Sequence, residues 1–576
     1  MHGGFALVLV VLALLAGRLV WLQGLQATAY AADATSQRLR TSTIVAPRGE
    51  ITDRSGQPLA LSVDARAVYG EPRIIAKAVC PPNTTTPCTP ATIAAVLAPI
   101  LGRPAAEITA KLSQSNAFVY LARSLDPAVG TKVRALGLVG IGVLQESQRT
   151  HPAGDLAVSV TGFTDRDGRG LAGVESGMQD VLAGKDGKTT AEVDRAGRVI
   201  PTGSTTSVPA VAGRSVQLTI DRDLQWYAQQ ALAAKVAETQ AVSGSAVVMD
   251  IRTGEVLALA TAPTFNPDDR AARPSPDALR NVAIGDVYEP GSVNKVITAA
   301  AALEAGVVTP DTVITVPPTL QVAGHTVHDA EQHGLEQLTF TGVLAKSSNI
   351  GTVEVAQKVG AQGLYEAMTR FGYGEKTGLG LPGESRGVLP RPQDWSGTSI
   401  ATIPIGQGVS VNVMQVASVY ATVANGGVRV APTVVKAVAD ASGRMIPVGN
   451  PQTRRVISPE VAAQLRTMLE AVVSAEGTAP LAAVPGYRIA GKTGTAQRVV
   501  NGRYVAGNYT SSFIGFAPAD SPRLVAAIVL QGTGQRGYFG GSTAGPVFKD
   551  IMSFALRDLK VPPTGTTAPV AKLTAG

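Results

Sequence analysis

The sequence predicts an α/β protein of the α+β type, with two modules behind a single N-terminal transmembrane helix. Three observations lead to this fold class. One long apolar stretch covers residues 5–25. Short strand-like runs then alternate with loops and brief helix-like runs as far as about residue 205. Beyond that point, strand patterns lie at both ends of the remaining sequence with helical patterns between them, which favours one central antiparallel sheet flanked by helices.

The apolar stretch predicts a membrane anchor at residues 5–25, preceded by a short cytoplasmic stub at 1–4. A bilayer-spanning helix needs about 20 residues. The stretch is long enough if Arg18 extends its charge to the outer interface, with Trp21 among the headgroups. A cleaved signal peptide is the alternative, because Ala27-Thr28-Ala29 offers small residues for cleavage. Both interpretations export the rest of the chain.

Residues 26–205 predict a smaller α+β module with a modest core. Its strand-like and helix-like runs are Ala91–Leu101 (helix), Ile108–Leu112 (helix), Ala117–Leu121 (strand) and Val139–Leu144 (strand). The Gly-, Thr- and Ser-rich stretch Pro201–Ala212 marks its boundary. The chain's two cysteines, Cys80 and Cys88, enclose a short Pro- and Thr-rich loop that closes easily outside the cytoplasm. The sequence does not decide whether these two cysteines form a disulfide.

Residues 206–560 predict the larger domain. Its expected elements, in order, are a strand at Val216–Ile220, a helix at Leu224–Val236 capped by Asp221, a hairpin of Ala246–Asp250 with Val256–Thr261, helices at Ser292–Ala305 and Val411–Ala424, and strands at Arg488–Ala490, Ser511–Phe516 and Leu524–Leu530. The Pro-, Thr- and Ala-rich residues 561–576 predict a disordered tail.

One Ser-x-x-Lys motif, Ser292-Val-Asn-Lys295, opens a predicted helix behind Pro290-Gly291. A serine hydroxyl needs a base to become a nucleophile. Residues i and i+3 share a helix face, so Lys295 can take the proton of Ser292 if burial lowers its pKa. The N–H of Ser292 is a candidate oxyanion donor. Alone, the motif is weak, because a capping serine and a solvated lysine give the same pattern.

Ser-x-Asn occurs three times, as residues 292–294, 347–349 and 410–412. The first lies inside the nucleophile motif, and the third opens a helix, where capping explains it. The second therefore becomes the candidate. Its Ser347 can pass a proton between Ser292 and a leaving amine, and its Asn349 can hold a substrate amide.

Lys-Thr-Gly occurs twice. Lys376-Thr377-Gly378 lies in a loop and is interpreted as structural, whereas Lys492-Thr493-Gly494-Thr495 follows a strand pattern. A cation and two hydroxyls on a strand edge can bind a carboxylate, which assigns Lys492, Thr493 and Thr495 to the substrate. Gly494 allows a ligand backbone to approach closely. The N–H of Thr495 is a candidate second oxyanion donor.

Other chemistries fit less well, and we expect no metal and no cofactor. His325, His328 and His333 crowd one loop, but their spacing matches no strong zinc signature, and they are interpreted as surface histidines. A Ser-His-Asp triad is not favoured, because no Gly-x-Ser-x-Gly elbow joins a predicted strand to a predicted helix, and the match to the pattern at residues 383–387 lies in a loop. The net charge of +7 suits an anionic envelope, whereas the absence of a basic helix or an aromatic-studded basic stripe argues against nucleic acid.

Together these motifs resemble the class B penicillin-binding proteins over nearly the whole chain. Further matching segments are Arg48–Arg54, Arg149–Gly154, Gly170–Glu175, Asp194-Arg195, Tyr288–Ser292, Leu381–Glu384 and Gly406–Gly408. His151 departs from the pattern, in which a tyrosine is expected. The amino-acid sequences of residues 378–384 and 405–409 most resemble those of the division-type enzymes of the class.

The resemblance implies an elongated pedestal and a peptidoglycan D,D-transpeptidase. Ser292 would attack the penultimate D-Ala of a stem peptide ending in D-Ala-D-Ala, and the amine of a second stem peptide would resolve the acyl-enzyme. β-Lactams would trap Ser292. The implied catalytic set is Ser292, Lys295, Ser347, Asn349 and Lys492, with Thr493, Gly494 and Thr495 binding substrate.

The resemblance also implies partners and a location. It implies a SEDS-family glycan polymerase, other division proteins and a single-pass position in the cell membrane at the septum. An elongation-type enzyme of the same chemistry is one alternative. A non-catalytic penicillin-binding sensor or scaffold is another, and the complete motif set argues against it.

Overall fold

The computed structural model describes residues 2–26, 28, 30, 38–78, 87–193, 199–269, 271–500, 502–534 and 538–575. Cys80, Asp194-Arg195 and two of the three cleavage-site candidates, Ala27 and Ala29, lie outside these ranges. Cys88 is disulfide-bonded.

The strands, in chain order, are β1 (Leu39–Ile44), β2 (Ile51–Thr52), β3 (Pro58–Gly70), β4 (Val119–Leu125), β5 (Ile141–Thr150), β6 (Gly187–Glu192), β7 (Thr205–Val208), β8 (Val216–Leu218), β9 (Ser243–Asp250), β10 (Val256–Ala262), β11 (Val313–Val316), β12 (Leu320–Val322), β13 (His325–Val327), β14 (Glu336–Thr339), β15 (Val428–Val430), β16 (Val435–Ala439), β17 (Met445–Pro447), β18 (Thr453–Arg455), β19 (Ala490–Val500), β20 (Arg503–Ala517) and β21 (Leu524–Thr533).

The helices are α1 (His2–Val20), α2 (Pro72–Ala76), α3 (Pro90–Leu101), α4 (Ala105–Leu112), α5 (Pro127–Ala135), α6 (Val158–Thr161), α7 (Gly173–Gly177), α8 (Gln179–Leu182), α9 (Arg222–Thr239), α10 (Val282–Gly285), α11 (Lys295–Glu304), α12 (Phe340–Ala345), α13 (Asn349–Phe371), α14 (Ser399–Thr402), α15 (Val413–Ala424), α16 (Pro459–Ala471) and α17 (Gly540–Asp558). Within the described ranges, one helical stretch, Gly3–Gly24, is long and apolar enough to cross a bilayer, with a mean hydropathy of 2.5.

The chain forms two compact units that interleave in sequence. The smaller contains residues 1–49, 62–149 and 183–213, and the larger contains 50–61, 150–182 and 214–576. The sequence predicts one boundary near residue 205, whereas the chain passes between the two units several times. One of these crossings lies within β3, which begins in the larger unit and continues into the smaller.

The smaller unit has a small core of its own. Helices α3, α4 and α5 bury Ile93, Leu97, Ile108 and Val133 against residues of β3 and β4. Thr89 caps α3, and its hydroxyl accepts from the N–H of Thr92, which stops the helix N-terminus from fraying. The predicted helices and strands of this region are present, with shifted ends. In the same unit, β1 pairs with β6 and β6 with β7.

The larger unit is built around one antiparallel sheet of order β10-β9-β21-β20-β19. Every residue of β9 and β10 is buried, so both faces of the sheet are covered. Helices α9, α15 and α17 contact it. The sheet joins strands from the beginning and the end of this unit, as predicted, and it leaves β19 at an edge.

The expected helix at Ser292–Ala305 begins differently. Residues 291–294 form a 3₁₀ turn, and the α-helix starts at Lys295. A 3₁₀ turn has three residues per turn, so i and i+3 eclipse each other. Ser292 and Lys295 are therefore more nearly aligned on one face than they would be in an α-helix.

The prediction of a disordered tail is contradicted at residues 572–575. The N–H of Thr339 donates to Leu573 O at 3.0 Å, and the N–H of Ala575 donates to Gln337 O at 3.0 Å. Leu573 is buried. Composition predicted disorder from the Pro- and Thr-rich residues 562–570, but a single apolar anchor beyond them pairs with an available strand edge.

Candidate active site

The nucleophile turn is held by hydrogen bonds from two other segments, residues 403–406 and α15. The N–H of Gly291 donates to Gly406 O at 3.1 Å, and Asn294 Nδ2 donates to Ile403 O at 2.9 Å. The hydroxyl of Tyr420 donates to Val293 O at 2.9 Å. These contacts fix the backbone around Ser292, whose side chain stays partly exposed.

Lys295 lies in the interior and is 1% exposed. Its Nζ donates to Ser347 O at 2.6 Å and to Asn349 Oδ1 at 2.7 Å, and lies 3.3 Å from Ser347 Oγ. Burial lowers the pKa of Lys295 to about 7, and the carboxylate of Asp329 opposes part of that shift. A substantial fraction of neutral amine at neutral pH is what a general base requires.

Lys492 reaches the same place from the sheet edge. Its Nζ donates to Ser347 Oγ at 2.8 Å and lies 3.3 Å from both Thr493 O and Thr493 Oγ1. Burial and the neighbouring charge of Lys295 hold the pKa of Lys492 well below its usual value. The Ser347 hydroxyl thus bridges two amino groups that the sequence separates by almost 200 residues.

Ser347 occupies a strained backbone position. Its φ is +61°, a left-handed conformation that non-glycine residues rarely adopt. Such strain persists only where the surroundings over-determine the backbone, and it concentrates at functional sites. The corner between α12 and α13 therefore aims the hydroxyl at both lysines.

The structure brings together five of the predicted site residues through direct contacts, namely Lys295, Ser347, Asn349, Lys492 and Thr493. The Ser292 hydroxyl makes no hydrogen bond within the described part of the chain. Catalytic hydrogen bonds commonly tighten only when a substrate is bound. Thr495 lies one residue beyond Gly494 on β19, where its Oγ1 accepts from the N–H of Gly540 at 3.1 Å.

Gly494 also has close contacts within the protein that require a glycine. A Cβ at this position would lie 2.3 Å from Ser512 Oγ, 3.0 Å from Val293 Cγ1 and 3.1 Å from Pro290 O. Two neighbours therefore require a residue without a side chain at this position: Ser512 of β20, and the nucleophile turn with Pro290 and Val293.

Sequence reasoning missed two residues of the site. Asp329 Oδ1 accepts from the N–H groups of Asn349 (2.5 Å) and Ile350 (3.0 Å), so this carboxylate caps the start of α13. Thr478 Oγ1 lies 2.9 Å from Thr493 Oγ1. Asp329 follows directly after His328 in the histidine loop, and no local pattern in the sequence ties it to Asn349.

The histidine loop adjoins the site rather than lying apart from it. His328 O accepts from Asn349 Nδ2 at 2.8 Å, and His333 Nε2 lies 3.2 Å from Asp329 Oδ2. The side chain of His333 is 14% exposed, so its interpretation as a surface residue was wrong. His325 is exposed in β13.

The duplicate motifs have structural roles. The N–H of Thr377 donates to Glu384 Oε1 at 2.7 Å, and Arg429 donates to Thr377 O at 2.9 Å, which confirms the structural interpretation of the first Lys-Thr-Gly. Asn412 caps α15 and accepts from the N–H of Gln415 at 2.8 Å. Capping therefore explains the third Ser-x-Asn, with the asparagine as the capping residue.

Comparisons with known proteins match nearly the whole chain. Residues 244–553 match the penicillin-binding protein transpeptidase domain, and residues 43–218 match the penicillin-binding protein dimerisation domain. Penicillin-binding protein PbpB of Mycolicibacterium smegmatis is 40% identical, covering 96% of this chain and 89% of that protein. The peptidoglycan D,D-transpeptidase FtsI of Escherichia coli K12 is 35% identical, covering 97% and 92%.

A solved structure is also similar. The crystal structure of penicillin-binding protein 3 from Mycobacterium tuberculosis in complex with aztreonam superimposes with a TM-score of 0.72 at 35% identity. The match covers 93% of this chain and 100% of that one.

The burial of Lys295 gives a direct expectation. In protein carrying ¹³Cε-labelled lysine, the Lys295 signal, identified by its loss in Lys295→Arg, should titrate near pH 7. Asp329→Asn should lower that midpoint further, because the carboxylate favours the charged amine. A Lys295 midpoint above pH 9, or one that Asp329→Asn leaves unmoved, would contradict the assignment.

Proposed function

Because the chain belongs to the class B penicillin-binding proteins, we propose that it is a peptidoglycan D,D-transpeptidase of the division type. It cross-links stem peptides through a serine acyl-enzyme and is a covalent target of β-lactams. One observation carries the proposal. The Ser347 hydroxyl lies 3.3 Å from Lys295 Nζ and 2.8 Å from Lys492 Nζ, so the three motifs meet at one point.

In the first half-reaction, Ser292 Oγ attacks the carbonyl carbon of the penultimate D-Ala. Neutral Lys295 accepts the hydroxyl proton, which its pKa of about 7 permits. The N–H groups of Ser292 and Thr495 stabilise the oxyanion. When the intermediate collapses, the proton passes through the Ser347 hydroxyl to the amine of the departing D-Ala.

Lys492, Thr493 and Thr495 bind the terminal carboxylate of the donor peptide. The pKa of Lys492 is held low by burial and by Lys295. A carboxylate arriving beside it favours the ammonium form, so the charge of Lys492 is restored when substrate binds. Since β19 is the edge strand of the sheet, an extended peptide can also pair with its main chain, with Asn349 holding a side amide.

In the second half-reaction, the amine of a neighbouring stem peptide attacks the acyl carbonyl. One amine proton goes to Lys295, Ser292 Oγ leaves, and Lys295 returns the proton to it. The new amide is the cross-link. A β-lactam acylates Ser292 by the same steps, but its leaving amine stays tethered to the acyl group and blocks the approach of the acceptor.

The proposal extends to location and partners. The helical stretch Gly3–Gly24 is a single-pass anchor, and the residues that follow it lie outside the cytoplasm. We assign residues 26–205 to the pedestal and 206–560 to the transpeptidase domain. The enzyme acts at the septum with a SEDS-family glycan polymerase and other division proteins, supported by its similarity to FtsI and PbpB.

Fluorescent penicillin tests the nucleophile. We expect Ser292→Ala to abolish labelling of the full-length protein, and Lys492→Ala to slow it by on the order of 10²–10³-fold. Lys376→Ala is the matched control, because Lys376 opens the structural Lys-Thr-Gly and is exposed. Its labelling should equal that of the parent. Labelled Ser292→Ala would overturn the assignment, and a labelled parent that never cross-links lipid-linked substrate would favour the sensor.

The rate of acylation should depend on pH through Lys295. Only its neutral form accepts the proton, so the second-order rate constant should rise with pH up to about 7 and level off above it. Below the midpoint, the rate should fall about tenfold for each pH unit. Stopped-flow labelling between pH 5 and 9 measures this, and a flat profile would exclude Lys295 as the base.

Localisation separates division from elongation. A fluorescent fusion of the full chain should gather at the septum and stay there in Ser292→Ala, because location depends on partners rather than on acylation. Fluorescence along the lateral wall would support the elongation-type alternative.

A further inference from the structure

Residues 561–575 return to the larger unit after α17 and touch it at two places. Near the beginning, Tyr487 donates its hydroxyl to Val561 O at 2.7 Å, and Arg488 Nη1 donates to Thr566 Oγ1 at 3.1 Å. Residues 562–570 are exposed throughout, and Val570 is fully so. The second contact, at residues 572–575, is thus held by its own interactions and not by continuity with α17.

At the second place the chain adds a strand to β14. The N–H of Thr339 donates to Leu573 O at 3.0 Å, the N–H of Ala575 donates to Gln337 O at 3.0 Å, and Thr339 Oγ1 donates to Lys572 O at 2.6 Å. Leu338 and Thr574 are antiparallel partners. Strand β14 pairs with β11 on its other side. Residues 572–575 therefore bind the edge of β14 that would otherwise have no backbone partner within the described part of the chain.

This strand contacts α12 at both of its ends. Thr339 caps α12 by accepting from the N–H of Gly342 at 2.9 Å, while its hydroxyl donates to Lys572 O. A Cβ on Gly342 would lie 2.0 Å from Leu573 O, so a glycine is required there. The Leu573 side chain, 6% exposed, packs against Ala345 at the end of the helix and Ala471 of α16.

Helix α12 leads directly into the strained corner. Ala345 is two residues before Ser347, whose positive φ aims its hydroxyl at Lys295 and Lys492. A backbone in that region needs its neighbours to hold it. Residues 572–575 fix the start of α12 through Thr339 and its end through Leu573, and thereby fix the approach to this corner.

We propose that residues 572–575 are a positioning strand for the Ser347–Asn349 motif. The strand touches no reacting atom; it acts through α12. The kinetic consequence rests on the proposed transpeptidase function, whereas the structural consequence, the order of the corner, does not. An extended peptide of the same sequence, supplied separately, can occupy the edge of β14 in its place.

The test uses the full-length protein, a deletion of residues 572–576, and Leu573→Asp. Val570→Asp is the matched control, because it places the same charge on the exposed connection. Hydrogen exchange of the segment spanning residues 340–352 is the first measurement, and it should be at least tenfold faster in the deletion and in Leu573→Asp than in the parent and the control. The rate of acylation by fluorescent penicillin should fall about tenfold in parallel.

Rescue distinguishes positioning from general destabilisation. A synthetic peptide of residues 569–576 should restore slow exchange and rapid acylation to the deletion variant in a saturable manner, whereas the same peptide with Leu573→Asp should not. Leu573→Met should behave as the parent. Unchanged exchange in residues 340–352 after deletion would overturn the proposal, as would faster exchange spread over the whole larger unit without rescue.

The two proposals fail differently. If the parent is never acylated but exchange responds to deletion and peptide, the transpeptidase assignment fails and the positioning strand stands. If the parent is acylated and deletion changes neither exchange nor rate, the positioning strand fails alone.

Discussion

The burial of two lysine amino groups around one hydroxyl is the constraint on which the larger unit depends. Lys295 and Lys492 are 1% and 0% exposed, and an amine in such a place must find acceptors or lose its charge. Both occur here. Ser347 and Asn349 supply oxygen atoms, and burial lowers both pKa values. The strained φ of Ser347 and the position of Asp329 both serve this arrangement, because one aims the shared hydroxyl and the other supplies the nearby negative charge.

Close backbone approach allows these groups to meet. The nucleophile turn lies against β19 on one side and against the 406–408 loop on the other. A Cβ on Gly406 would lie 2.2 Å from Gly291 O, and one on Gly494 would lie 3.0 Å from Val293 Cγ1 and 3.1 Å from Pro290 O. These two glycines therefore have a packing role within the protein. They bring three segments that are distant in sequence to within hydrogen-bond range.

Several parts of the site could be predicted because each motif is local. Ser292 and Lys295 share a turn, and Lys492 to Thr495 share a strand, so residue type and spacing were enough to nominate them. Capping of the third Ser-x-Asn then left Ser347–Asn349 as the candidate, and placement after a strand pattern selected Lys492–Thr493 over its duplicate. The contacts of Thr377 and Asn412 agree with that selection. Asp329 could not be nominated in this way, because its partners Asn349 and Ile350 lie about 20 residues away across β14 and α12.

The sequence by itself determined the class of the fold, the apolar N-terminal helix, the strands at both ends of the larger domain and the residue types of the nucleophile motif. Those features follow from short-range backbone preferences and from hydrophobic periodicity, which a linear pattern records. Tertiary structure alone decided the pKa of Lys295, the capping role of Asp329, the packing reason for Gly494 and the return of residues 572–575 to β14. Each of these features depends on burial or on contact between distant segments. Local residue spacing predicts neither burial of a particular side chain nor such a contact. Composition predicted disorder for residues 561–576, whereas one leucine and an unfilled strand edge gave residues 572–575 a fixed place.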